Sequence, residues 1–166
     1  MPGRPNIVFV FSDQHRARTT GYEGAAVATP AMDRLAAEGV VFETAVSSIP
    51  VCTPWRAALL TGQYPLTNGV FLNDVRLPTD RPTLGTILTD AGYDTAYIGK
   101  WHLDGNRRGA FTPPGPRRQG FRFWAAANCT HDSPVLVPGV TVDLARIELL
   151  AGGGEEHVAR QRLVAR

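Results

Sequence analysis

The 166 residues, 43% hydrophobic and 19% charged with a formal charge of +2, describe one globular domain with room for a real core. A charge so slight, with no basic run interleaved with aromatics, argues against nucleic acid as a partner. Two cysteines, Cys52 and Cys129, make no disulfide framework and fit a reducing compartment. The first apolar run is too short for a membrane span and lacks a signal-peptide cleavage pattern. The sequence therefore reads as cytoplasmic, with no membrane partner.

Residues 6–11 (Asn-Ile-Val-Phe-Val-Phe) are apolar without alternation, the pattern of a strand buried on both faces of a parallel sheet. They run into Ser12-Asp13-Gln14-His15. Ligands gather outside the carboxyl ends of strands in open α/β sheets, which places Asp13 for chemistry; the alternative is an acidic side chain that solvates a loop. Thr29-Pro30 predicts a helix start, with Thr29 as N-cap, Met32, Leu35 and Ala36 as a packing stripe and Gly39 as its end. Residues 40–46 read as a second strand that delivers the chain to Cys52.

From Cys52 to Gly62 the text is Cys-Thr-Pro-Trp-Arg-Ala-Ala-Leu-Leu-Thr-Gly. Thr53 suits an N-cap and Pro54 a first helical position; Ala57 to Leu60 propagate the helix, and Gly62 ends it in a left-handed cap. Cys52 then sits just ahead of a helix N-terminus, where partial positive charge and free backbone N–H groups favour an anion. Arg56 adds a fixed positive charge one turn in. A nucleophile and an anion cradle at one helix mouth suit a phosphate or sulfate group. The plainer alternative is a buried structural thiol before an ordinary helix.

Tyr64-Pro65 and Asn68-Gly69 mark a loop that continues through Asn73 and Asp74 to a proline-rich turn over residues 77–82. Residues 83–91 predict a helix with Leu84, Ile87 and Leu88 on one face, and 94–99 a third strand leading into Lys100-Trp101-His102. If that triplet is extended, Lys100 and His102 share a face and Trp101 points away. A lysine neutralises an anionic substrate and a histidine exchanges protons near neutral pH. Arg107-Arg108 and Arg117-Arg118 read as solvated surface around a Pro/Gly loop, and His131-Asp132 as part of a loop. Residues 140–150 could be strand or helix, and residues 155–166 a charged helix or tail.

Cys52-x-Pro54-x-Arg56 followed by Ala-Ala-Leu-Leu-Thr-Gly resembles the signature of the type I sulfatases, within the alkaline phosphatase superfamily. Gly99-Lys100-Trp101-His102-Leu103 resembles the family's second signature, Asp13-Gln14 its first metal pair, and Thr29-Pro-x-x-Asp-x-Leu-Ala-x-x-Gly39 and Gly120-Phe-Arg-Phe-Trp124 two further segments. The resemblance implies an α/β fold, part of an alkaline-phosphatase-like sandwich with a mostly parallel sheet flanked by helices. It covers residues 1–132; residues 133–166 are unassigned. It implies hydrolysis of a small-molecule sulfate ester through a formylglycine derived from Cys52 by a formylglycine-generating enzyme or its equivalent. The hydrated aldehyde attacks sulfur, the alcohol leaves, and the second hydroxyl expels sulfate.

By the same resemblance Arg56 and His102 stabilise the hydrate, Lys100 contacts sulfate and Asn73 contacts a substrate oxygen. Asp13, Gln14 and the modified Cys52 bind a divalent cation, calcium by preference. Trp55 stands where the family usually has Ser. A second metal pair, a further lysine and a further histidine are not recognisable, and calcium wants six to eight oxygens. The sequence thus reads as a fragment or truncated product, or as a subunit completed by another chain or in a homo-oligomer. A phosphonate or phosphate monoester hydrolase of the same superfamily, and a non-catalytic remnant or subunit, stay as alternatives.

Overall fold

The structure, a computed structural model, describes residues 4–129, 136–137 and 140–141. His131, Asp132 and the tail from residue 142 lie outside the described residues. The chain forms two compact units, residues 1–46 and 47–166.

In the first unit a single 3-10 turn, Gly21–Glu23, leads to helix α1, Pro30–Glu38. Thr29 and Pro30 occupy the predicted positions, but the Thr29 hydroxyl is used elsewhere. It accepts from the Gly21 N–H at 2.8 Å and donates to Asp33 at 2.7 Å, and Asp33 also accepts from the Tyr22 N–H. The hydroxyl therefore ties the turn to the helix instead of capping it. Met32 and Leu35 of the expected packing stripe are exposed.

Residues 6–11 and 40–46 are not strands. Neither segment pairs with a described strand, so its backbone groups have no ladder to join, and Ile7, Val8, Phe9, Val10, Val40, Phe42 and Val46 are exposed. A strand buried on both faces exists only where neighbours flank both edges, and no such neighbour is described.

The second unit holds the core. Its helices are α2, Cys52–Thr61, α3, Pro65–Asn68, and α4, Leu84–Asp90; its strands are β1, Ala96–Lys100, and β2, Phe123–Ala127. β1 and β2 pair in parallel, Ala96 opposite Phe123 through Lys100 opposite Ala127. The pairing runs on past both strands, with the Trp101 N–H on the Ala127 carbonyl and the His102 N–H on the Asn128 carbonyl. β3, Leu136–Val137, and β4, Val140–Thr141, form a separate antiparallel pair. Ala57, Leu60, Val70, Leu77, Trp101, Leu103, Trp124 and Ala126 make one apolar cluster. Half-buried Tyr97 packs against it, stacked on Trp124 at 5.5 Å and edge-on to Trp101 at 4.8 Å.

Gly62, at φ 65°, ends α2 in the left-handed conformation expected of it. Buried Asn68 accepts from the Val70 N–H and donates to the Gln63 carbonyl, which turns the chain back so that Val70 enters the core. α4 is capped by Thr83, whose side chain accepts from the Thr86 N–H as the Thr86 hydroxyl accepts from the Thr83 N–H. Its packing face is not the predicted one. Gly85 is buried against the Gln119 carbonyl and the Phe121 ring, and Thr89 donates to the Gly120 carbonyl, while Leu84 and Ile87 face outward. The backbone of residues 119–121 comes too near for a leucine on that side.

Candidate active site

α2 begins two residues earlier than its composition suggests. Val51 is the N-cap and Cys52 the first helical residue. The Thr53 N–H is accepted by Asn73 Oδ1 at 3.0 Å, Pro54 has no N–H, and the Trp55 N–H is held by the Val51 carbonyl. Asn73 thus supplies the cap acceptor, and the free backbone cradle expected for an anion is largely committed. The positive charge at this helix mouth comes from side chains instead. Lys100 Nζ lies 3.5 Å from Cys52 Sγ, a contact between positions 48 apart in sequence.

Arg56 is buried. Its guanidinium donates to Tyr97 Oη at 3.1 Å and to the Lys100 carbonyl, and Tyr97 Oη also donates to that carbonyl at 2.7 Å. Arg56 therefore ties α2 to the end of β1, which fixes the backbone that presents Lys100. The next residue, Trp101, is wholly buried in the core. The chain then leaves strand geometry: His102 has φ 55°.

His102 is buried, with Nε2 3.0 Å from Asp74 Oδ1. Arg108 grips the same carboxylate with two nitrogens, Nε on Oδ1 at 2.9 Å and Nη2 on Oδ2 at 2.7 Å. Arg108 first, and His102 second, hold the Asp74 carboxyl down at about 2. His102 is pushed below its usual value chiefly by burial, with Lys100 and Arg108 adding repulsion and Asp74 opposing them. Asp74 reaches His102 because residues 76–77 run alongside 103–104: Leu77 N–H donates to the Leu103 carbonyl, and Arg76 pairs with Asp104.

The structure therefore brings Cys52, Asn73, Lys100 and Arg56 around one helix start, with His102 joined to it through Asp74. Asn73 Oδ1 is engaged in capping. Asp13 and Gln14 are exposed in the other unit, in a segment without regular structure. Among the described residues no three His, Cys, Asp or Glu side chains gather as a metal site. Two adjacent oxygen donors fall well short of a calcium shell, so these residues alone do not fit that ion.

Asp74 and Arg108 were not singled out as site residues from the sequence, and Thr53 only as a cap. Asp74 had one cue, its place beside Asn73. Arg108 had none, because an arginine pair in a loop has the composition of solvated surface. Arg117 and Arg118 are likewise engaged, Arg117 with the nearly buried Asp104 at 3.0 Å and Arg118 over Phe111 and Trp124.

A thiol thus faces an ammonium at the start of α2, and an imidazole held by a carboxylate is tied to the same helix start through Asp74 and Thr53. The sulfatase family model matches residues 5–139, and the chain belongs to that family, within the alkaline phosphatase superfamily. It is 54% identical over 132 residues to the ulvan-active sulfatase of Formosa agariphila, an alignment covering 79% of this chain and 26% of that protein. Arylsulfatase A of Homo sapiens is 37% identical over 135 residues, covering 77% and 26%. Among solved structures, BT4656 in complex with its substrate D-glucosamine-2-N,6-O-disulfate superposes with a TM-score of 0.63 at 36% identity, covering 74% of this chain and 23% of that one. The chain spans about a quarter of the length of these curated relatives. Sulfatases generally use a divalent cation and a formylglycine. Among the described residues no helix is long and apolar enough to cross a membrane.

Proposed function

We propose that this chain carries the nucleophile-bearing part of a sulfate-ester hydrolase, with Cys52 as the residue converted to formylglycine. The observation that carries the reading is the 3.5 Å approach of Lys100 Nζ to Cys52 Sγ at the start of α2. In its converted form this side chain supplies the nucleophilic oxygen. Lys100 neutralises the sulfate as it docks. Arg56 keeps Lys100 in place through the backbone carbonyl that it grips. His102, neutral over most of the physiological range, exchanges the proton that the reacting oxygen loses or gains. Asn73 fixes the helix start. Residues 1–132 form the family portion on this reading, and thiols at Cys52 and Cys129 support a reducing, cytoplasmic setting.

Co-expression of the full chain with a formylglycine-generating enzyme, mass analysis of the Cys52 peptide and aryl sulfate turnover test the reading. The expected result is an aldehyde at Cys52 and turnover that Cys52→Ala abolishes; undiminished turnover in Cys52→Ala overturns it. Matched aryl sulfate and phosphonate esters distinguish the sulfatase from a phosphonate or phosphate monoester hydrolase, whose tetrahedral anionic substrate the same charges would fit.

A non-catalytic remnant or subunit is favoured by one specific observation, that no metal cluster forms among the described residues. Calcium titration separates the two. Tight stoichiometric binding supports the enzyme; no binding at millimolar calcium together with no turnover supports the remnant.

A further inference from the structure

We infer that Asp74 is a positioning residue: it holds His102 in the tautomer that carries its proton on Nε2, and so makes Nδ1 the accepting edge of the ring. The inference rests on the reading that the Cys52 helix start is the reacting site, and extends it to a pairing that neither sequence motif contains.

The chemistry of the contact fixes the proton. Asp74 Oδ1 is 3.0 Å from Nε2, and a carboxylate held by the two nitrogens of Arg108 is ionised at neutral pH. An ionised carboxylate only accepts, so Nε2 must donate. The other ring nitrogen, Nδ1, is buried with no hydrogen-bond partner among the described residues. A bare nitrogen lone pair out of water is unfavourable unless a donor reaches it. A protonated oxygen on a group entering the site is such a donor.

The placement of Asp74 ties this choice to the nucleophile. Its N–H donates to Thr53 Oγ1 at 3.3 Å, and the side chain before it, Asn73, accepts from the Thr53 N–H at 3.0 Å. One turn of chain thus grips the residue after Cys52 with its backbone and Asn73, and His102 with its carboxylate. Both partners of the carboxylate–imidazole contact hold unusual backbone: Asp74 at φ 65° and His102 at φ 55°. Non-glycine residues persist there only where their surroundings over-determine them. A carboxylate that sets the tautomer and tilt of a reacting imidazole is a recurrent device, and its loss misplaces the proton without moving the ring. The charged groups around His102 are Asp74, Arg108 and Lys100.

Long-range ¹H–¹⁵N spectra of the uniformly labelled full chain test the inference. His102 is distinguished from His15, His131 and His157 by the signal lost in His102→Gln. The expected result at pH 8 is an Nε2-protonated His102. Asp74→Asn, which keeps the shape and loses the charge, should lose that preference and titrate at lower pH. Asp74→Glu should restore it in part. An Nδ1-protonated His102 in the unaltered chain overturns the inference with no variant needed, as does an unchanged tautomer in folded Asp74→Asn. The spectra need no turnover. A chain without sulfate-ester activity but with an Asp74-dependent Nε2 proton sinks the sulfatase reading alone. An active chain whose tautomer ignores Asp74 sinks this inference alone.

Discussion

At the scale of single residues, the candidate site is a set of charges that hold one another. Lys100→Ala removes the ammonium beside Cys52 and should lower turnover of an aryl sulfate by on the order of 10²–10³, the loss typical of one transition-state contact. Steady-state kinetics of the matured protein check this. The two perturbed groups also make stability depend on pH. His102 titrates below its usual value in the folded chain, so the unfolded chain binds protons first as pH falls. The stability due to neutral His102 is therefore present above about 6.5 and is lost on acidification below it. Asp74, at about 2 against 3.8, contributes stability above about pH 4 that is lost as pH falls toward 2. Urea midpoints should fall from pH 8 to 5.5, with the slope reduced in His102→Gln, and fall again below pH 4, with the slope reduced in Asp74→Asn. That Cys52, Arg56 and Lys100 come together was legible because each lies inside a dense motif. Asp74 and Arg108 were not, because their roles come from a pairing between positions 34 apart, which no local pattern encodes.

At the scale of elements, small residues decide what packs where. A Cβ on Gly120, whose φ is 87°, would lie 2.5 Å from the Thr86 N. Gly120→Ala therefore meets both backbone strain and a collision with α4, and should cost about 2–3 kcal/mol by urea unfolding. Gly62→Ala meets only the strain of φ 65°, with no atom near, and should cost about 1 kcal/mol. The left-handed end of α2 at Gly62 could be read from the chain, since such glycines are local; its start could not, because the acceptor for the Thr53 N–H comes from Asn73, 20 positions away. The inward face of α4 could not. Hydrophobic periodicity nominated Leu84, Ile87 and Leu88, whereas the tight fit against residues 119–121 selected Gly85 and the threonines. β2 was hidden for a related reason: after Phe123 and Trp124 it runs through three alanines, which are depleted in strands, and its parallel partner supplies what they lack.

At the scale of the whole molecule, the sequence resolved the family but overstated the sheet. Residues 6–11 and 40–46 have the composition of buried strands and no described neighbour to pair with. Their exposed valines and phenylalanines predict association: the purified chain should show concentration-dependent light scattering, and Val8→Lys with Val10→Lys should reduce it. The second unit carries its own optical gauge. Trp101 and Trp124 lie edge-to-face at 4.9 Å in the core, while Trp55 sits three residues along α2 from Cys52. Two indoles fixed that closely couple their excited states, so their near-ultraviolet dichroism reports the integrity of the scaffold. Trp55 lies on α2, outside that pair, so Trp55→Phe should leave that dichroism in place while any loosening of the paired strands erases it.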